Sequence, residues 1–155
     1  MRTKQKGFSL IELLIVVAII LIIAAIAIPN LLRAKIAANQ ASAVGSLRTL
    51  NTACIAFSTS YGSFPAALSN LGPVGSGGTA SSTSADLIDS VLSAGTKSGY
   101  TFAFGAGASN QSYTITATPI TAATTGQNMY FTDQSGVIRV NTTGSGASAT
   151  STPIG

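Results

Sequence analysis

A chain of 155 residues holds one modest domain besides any long extra element. Hydrophobic residues make up 46% and charged ones only 8%, histidine is absent, and one cysteine rules out an intrachain disulfide. Without histidine there is no histidine acid–base catalysis and no imidazole metal site; with no phosphate-binding glycine loop or nucleophile motif either, we expect neither an enzyme nor a cofactor.

The formal charge of +4 overstates the basic character of the body of the chain. Arg2, Lys4 and Lys6, three of the eight basic residues, crowd the first seven positions, and removing residues 1–7 leaves five basic and four acidic side chains. Arg48, Lys97 and Arg139 are scattered, too thin a charge to track phosphates, so no nucleic-acid partner is expected.

Residues 8–28 contain a single charge, Glu12, and positions 13–28 are filled entirely by Leu, Ile, Val and Ala. As a helix this stretch is about 31 Å long, the thickness of a bilayer core. A helix that is apolar all round has to be covered on every side, by lipid or by other helices. Glu12 is the exception. A carboxylate within a spanning segment costs about 2.5 to 3.5 kcal/mol, so it calls for a partner. The basic head holds the N-terminus in the cytoplasm and sends the remainder outward. A secretory signal would place its cleavage site after the apolar run. Here the small residue suited to cutting, Gly7, comes before it. Cleavage after Gly7 would discard residues 1–7 as a leader, keep the helix and expose a new amine on Phe8.

The run Gly7-Phe8-Ser9-Leu10-Ile11-Glu12-Leu13-Leu14-Ile15-Val16-Val17-Ala18-Ile19-Ile20 resembles the N-terminus of type IV prepilins and related pseudopilins. The resemblance implies a membrane peptidase that cuts after Gly7 and N-methylates Phe8, and a role for Glu12 in pairing with the N-terminal amine of a neighbouring subunit during assembly. It further implies an inner-membrane precursor, a homopolymeric extracellular filament, and a membrane platform protein driven by a cytoplasmic ATPase. Many type IV pilins close a loop with a disulfide, which this chain cannot do. Three readings follow: a type IV pilus subunit, which is favoured; a pseudopilin of a type II secretion system; and a minor or DNA-uptake pilin. The acid-rich calcium loop typical of the major pseudopilin has no counterpart around Asp133.

Pro29 removes one helical hydrogen bond and crowds the preceding turn, which predicts a kink or a melted turn. It either bends the helix on leaving the membrane or, by resemblance, marks where helix is lost on assembly. From residue 31 to about 61 the pattern becomes amphipathic. Ile36, Gln40, Ala43, Leu47, Leu50, Cys54, Phe57 and Tyr61 recur at spacings of three and four and share one face, while Arg33, Asn39, Ser46, Asn51 and Ser58 lie opposite. A helix over 8–61 would be about 80 Å long, too long for a domain of this size, so half of it should protrude. Cys54 reads as a small core residue rather than a reactive one. Gly62 and Pro65 end the helix.

Residues 72–84 read as an exposed loop, followed by a short helix over 84–93 capped by Ser84, with Asp86 in its first turn and Leu87, Val91 and Leu92 inward. Asp86 and Asp89 are expected to be solvated surface charge rather than calcium ligands. The period then changes to two. Tyr100, Phe102 and Phe104 alternate with Thr101 and Ala103; Tyr113, Ile115 and Ala117 alternate with threonines. These are strands, joined by a loop over 105–110, with Pro119 ending the second. A third strand near 128–132 and a fourth at 137–140 flank a turn over 133–136. Asn110 and Asn141 match a glycosylation pattern but are read as solvated loop residues. The tail from 141, rich in Ser, Thr, Gly and Ala, is expected to be mobile. The fold class is therefore α+β, a long N-terminal helix over 8–61 on an antiparallel sheet of about four strands, with residues 62–155 as the C-terminal globular domain.

Overall fold

The computed structural model describes residues 7–154; the basic head at Arg2, Lys4 and Lys6 lies outside the described residues. Helix α1, Leu10–Tyr61, is one run of 52 residues. It is unbroken at Pro29, so no turn is melted there. At its far end Gly62 adopts φ +79° and donates its N–H to the Ser58 carbonyl at 2.8 Å. A left-handed residue at that position turns the chain out of the helix, which glycine does without a Cβ penalty. The chain divides into two units, Met1–Lys35 and Ile36–Gly155.

In the second unit α1 lays one stripe on the sheet. Ile36, Ala43, Leu47, Leu50, Cys54 and Phe57 are buried as their spacing predicts, Gln40 is half-buried and Tyr61 sits at the exposed end. Each fully buried leucine here contributes about 1.5 to 3 kcal/mol. The stripe is wider than expected, because Ser46 and Asn51, assigned to the outer side, are also buried. Asn51 explains its own position by its bonds. Its Nδ2 donates to Thr132 Oγ1 at 2.9 Å and to the Gly136 carbonyl at 3.3 Å, and its Oδ1 accepts from Tyr113 Oη at 3.1 Å. A buried amide is stable only when bonded in this way.

The sheet has six strands rather than four: β1 Thr96–Lys97, β2 Tyr100–Ala106, β3 Tyr113–Pro119, β4 Met129–Asp133, β5 Arg139–Asn141 and β6 Thr152–Pro153. They run antiparallel in chain order. The predicted alternation is present in β2 and β3. Tyr100, Phe102, Tyr113, Ile115 and Ala117 are buried, and Phe102 lies opposite Ala117 and Phe104 opposite Ile115. Strand β1 joins β2 through Ser98 and Gly99, at φ +49° and +75°, the pair of left-handed residues that suits a two-residue hairpin. Two-residue strands are shorter than any periodic pattern, which is why β1 and β6 escape sequence reading.

Three further expectations are corrected. The short helix α2 is Ser90–Ser93, capped by Asp89, whose side chain accepts from the Leu92 N–H at 2.8 Å. The segment before it cannot be helical, because its N–H groups bond elsewhere: Ala85 to the Asn70 carbonyl, Asp86 to Gly72, and Leu87 and Ile88 to Leu71. Ser84 Oγ bonds the Gly72 and Pro73 carbonyls instead of capping, and Asp86 takes φ +55°. Ala85 and Ile88 consequently point inward with Leu92, while Leu87 and Val91 are exposed. The fourth strand is shifted to Arg139–Asn141, leaving Val137 exposed and Ile138 buried. The tail is ordered against the sheet as β6, with the Ile154 N–H on the Ile138 carbonyl at 2.8 Å and Arg139 Nη1 on the Ser151 carbonyl at 3.1 Å.

Candidate assembly site at the N-terminal helix

The first turn of α1 gathers the chemistry of the N-terminal segment. Ser9 stands immediately before the helix, and its backbone N–H donates to Glu12 Oε2 at 2.9 Å, while the Leu13 N–H bonds the Ser9 carbonyl at 3.3 Å. This is the glutamate half of a capping box, in which a carboxylate three residues into the helix satisfies a donor that has no partner within it. The macrodipole adds to it, since a negative charge in the first turn is favoured by about 0.3 to 1 kcal/mol. Ser-x-x-Glu is a recognisable start signal, and it is the feature of this site that reading the segment as a membrane span alone passes over.

Beyond that turn the helix offers only hydrocarbon. Phe8 is 82% exposed, and Leu10, Ile11, Leu13, Leu14 and the other large apolar residues through Leu32 are exposed on every face. The helix is long and apolar enough to cross a bilayer by length and composition. Gly7 lies just outside it; a Cβ built there meets nothing within 4 Å, and its φ is not in the left-handed region. Nothing in the fold requires glycine at that position.

Residues 2–28 match the family described as the prokaryotic N-terminal methylation motif. The chain carries an N-terminal methylation motif. Among curated proteins, the chain is 52% identical over 50 residues to the type IV major pilin protein PilA of Myxococcus xanthus, covering 32% of this chain and 23% of that protein. It is 65% identical over 37 residues to the type IV wide pilus major component PilA4 of Thermus thermophilus, covering 24% and 28%. A third relative, the type IV major fimbrial protein FimA of Dichelobacter nodosus, is 52% identical over 59 residues, covering 36% and 37%. The likeness spans about a quarter to a third of these relatives' own length. No solved structure matches the chain. The part of α1 from Ile36 onward, laid on the antiparallel sheet, is a pilin-like α+β arrangement.

The remaining candidate residues are not brought together. Asp89 caps α2 and pairs with Lys97 Nζ at 2.9 Å, and the lysine and the Leu92 N–H hold its carboxyl below the usual range. Asp133 accepts from the Ser135 N–H at 2.9 Å within its turn. Among the described residues no three potential metal ligands converge. Burial pushes the Cys54 thiol up to about 12, leaving it without thiolate character at neutral pH. The Asn110 carbonyl accepts from the Phe64 N–H. The Asn141 side chain organises its own loop, donating to the Ser145 and Gly146 carbonyls and accepting from Thr143.

Proposed function

We propose that this protein is the structural subunit of a type IV pilus filament. The observation that carries the reading is a prepilin segment whose helix is apolar and exposed on all sides, with one carboxylate in its first turn. The precursor waits in the inner membrane as a single span with its leader in the cytoplasm. A prepilin peptidase cuts between Gly7 and Phe8, removes residues 1–7 and methylates the new Phe8 amine. Because Gly7 plays no part in the fold, its presence is accounted for by the enzyme that reads it.

Processing changes what Glu12 can do. In the precursor its carboxylate holds the Ser9 N–H, which lowers but does not cancel the cost of a charge at that depth. After cleavage a cationic amine exists close to the carboxylate depth of an adjacent subunit. Pairing the two neutralises both charges in a low-dielectric setting, where an unpartnered charge is costly. The apolar helix meanwhile exchanges lipid for the helices of other subunits, and the globular domain over 62–155 is carried outward. The chain supplies no nucleotide-binding motif, so extraction is driven by the platform protein and its ATPase. The relatives, which are major pilins and a major fimbrial protein, support a pilus subunit over a secretion pseudopilin.

The test is mass spectrometry of filaments sheared from cells that express the chain. Fibres composed mainly of a protein beginning at N-methylated Phe8 are the expected result. A processed protein that stays in the envelope and forms no surface fibre would overturn the reading.

A further inference from the structure

We infer that Arg33 and Lys35 form a collar that binds the phosphates of anionic phospholipids on the membrane face opposite the leader. The inference rests on the reading of residues 8–28 as a membrane span. At about 1.5 Å per residue, Arg33 and Lys35 lie roughly 7 and 10 Å past Ile28 along the helix. The headgroup zone extends roughly 5 to 7 Å beyond the hydrocarbon on each side. Helical side chains tilt back toward the N-terminus, so these two reach down toward the bilayer, and long basic side chains keep their charge at the headgroups while their stems lie on apolar surface.

Two positions apart is about 200° of helical rotation. The two cations therefore stand on opposite sides of the helix and encircle it. Both are exposed, and the ion pair among the described residues, Lys97–Asp89, does not involve them. The nearest acid on the same helical segment, Glu12, is 21 residues away, about 31 Å along the axis. Among the described residues neither charge has an ion-pair partner, and lipid phosphate is the anion that surrounds a helix at that depth. Cleavage sharpens the effect. Once Arg2, Lys4 and Lys6 leave with the leader, Arg33 and Lys35 are the basic side chains flanking the span, so headgroup attraction passes to the outward face.

The full chain would be reconstituted in vesicles of phosphatidylcholine with a minor share of phosphatidylglycerol, washed at alkaline pH, extracted gently, and its retained lipids counted by native mass spectrometry. Retained phosphatidylglycerol should be enriched over its share of the bilayer, by about fivefold for each basic side chain at the surface. Arg33→Gln with Lys35→Gln should lose that part of the enrichment, while Arg33→Lys with Lys35→Arg keeps it; both pairs lie outside the buried core and should leave folding unchanged. The same lipid ratio in wild type and the double Gln variant overturns the inference. If that variant kept the wild-type lipids but assembled poorly, the cations would instead serve the Glu12 carboxylate of a second copy, and the lipid role would again be overturned. A chain that leaves the bilayer in the alkaline wash overturns the membrane-span reading itself, a result distinct from a retained chain without lipid preference.

Discussion

Replacing Glu12 by Gln separates two roles that Glu12→Ala removes together. The Gln side chain retains an oxygen that can accept the Ser9 N–H, now held at 2.9 Å by the carboxylate, so the start of α1 is preserved. The charge is gone. In the precursor this is tolerated, because a neutral amide is no costlier to hold within the span than a carboxylate, which costs about 2.5 to 3.5 kcal/mol at the centre of a span; the Glu12→Gln precursor should accumulate in the membrane and be processed as wild type. Assembly should suffer. Leaving the amine of a neighbour buried without its counter-charge costs about 3 to 5 kcal/mol. At about 1.4 kcal/mol per factor of ten, the subunit concentration needed for growth rises roughly a hundred- to several-thousand-fold. The assay compares N-methylated Phe8 in the membrane fraction with filament yield after shearing. Wild-type filament yield from Glu12→Gln at equal processed protein would refute the pairing argument, and equal loss of processing would show that the carboxylate serves the peptidase instead.

Gly7→Val should block removal of residues 1–7, seen as a larger mass and an unmethylated N-terminus, while leaving the thermal midpoint within error, since a Cβ at Gly7 touches nothing. Asn51→Ala should destabilise the globular part by about 3 kcal/mol in denaturant titration, because the Tyr113 hydroxyl and the Gly136 carbonyl lose their buried partner. Alkaline pH should destabilise the fold. Burial raises Cys54 from 9.0 and Tyr100 from 10.0, each to about 12, and raises Tyr113 further. The unfolded chain then loses these protons first, so stability is unaffected below about pH 9 and falls as pH climbs toward 12; Cys54→Ala should remove the earliest part of that decline in a pH series of unfolding curves.

The parts of the fold legible in the sequence are those where one physical pattern runs uninterrupted. The three-and-four spacing from Ile36 to Phe57 needs only a single apolar partner surface, and the alternation through Tyr100, Phe102, Tyr113 and Ile115 needs only a half-covered sheet. Expectations failed where tertiary hydrogen bonds override local preference. Ser84 and Asp86 have the chemistry of a helix start, but the backbone beside them is engaged by the carbonyls of Asn70, Leu71 and Gly72. The tail has the composition of a loose segment and is held by Ile138 and Arg139 across the sheet. Asn51 looks like a surface residue until Thr132, Tyr113 and Gly136 are placed around it. At the candidate site the exposed apolar helix that follows Glu12 was legible from composition alone. The bond from Ser9 to Glu12 went unread although the Ser-x-x-Glu spacing encodes it.

The brevity of β1 and β6 bears on how such a protein can be packed densely without fusing. An open sheet invites a second sheet to continue its ladder, and the hazard grows with concentration. Here the outermost strand on each side of the sheet is two residues long. One carries Lys97, whose ammonium would have to be stripped of water, and the other ends in Pro153, which has no N–H to offer. Strand-to-strand adhesion between molecules is thereby discouraged on both sides. Under the proposed function, self-association is then left to the apolar helix, which a membrane covers until assembly.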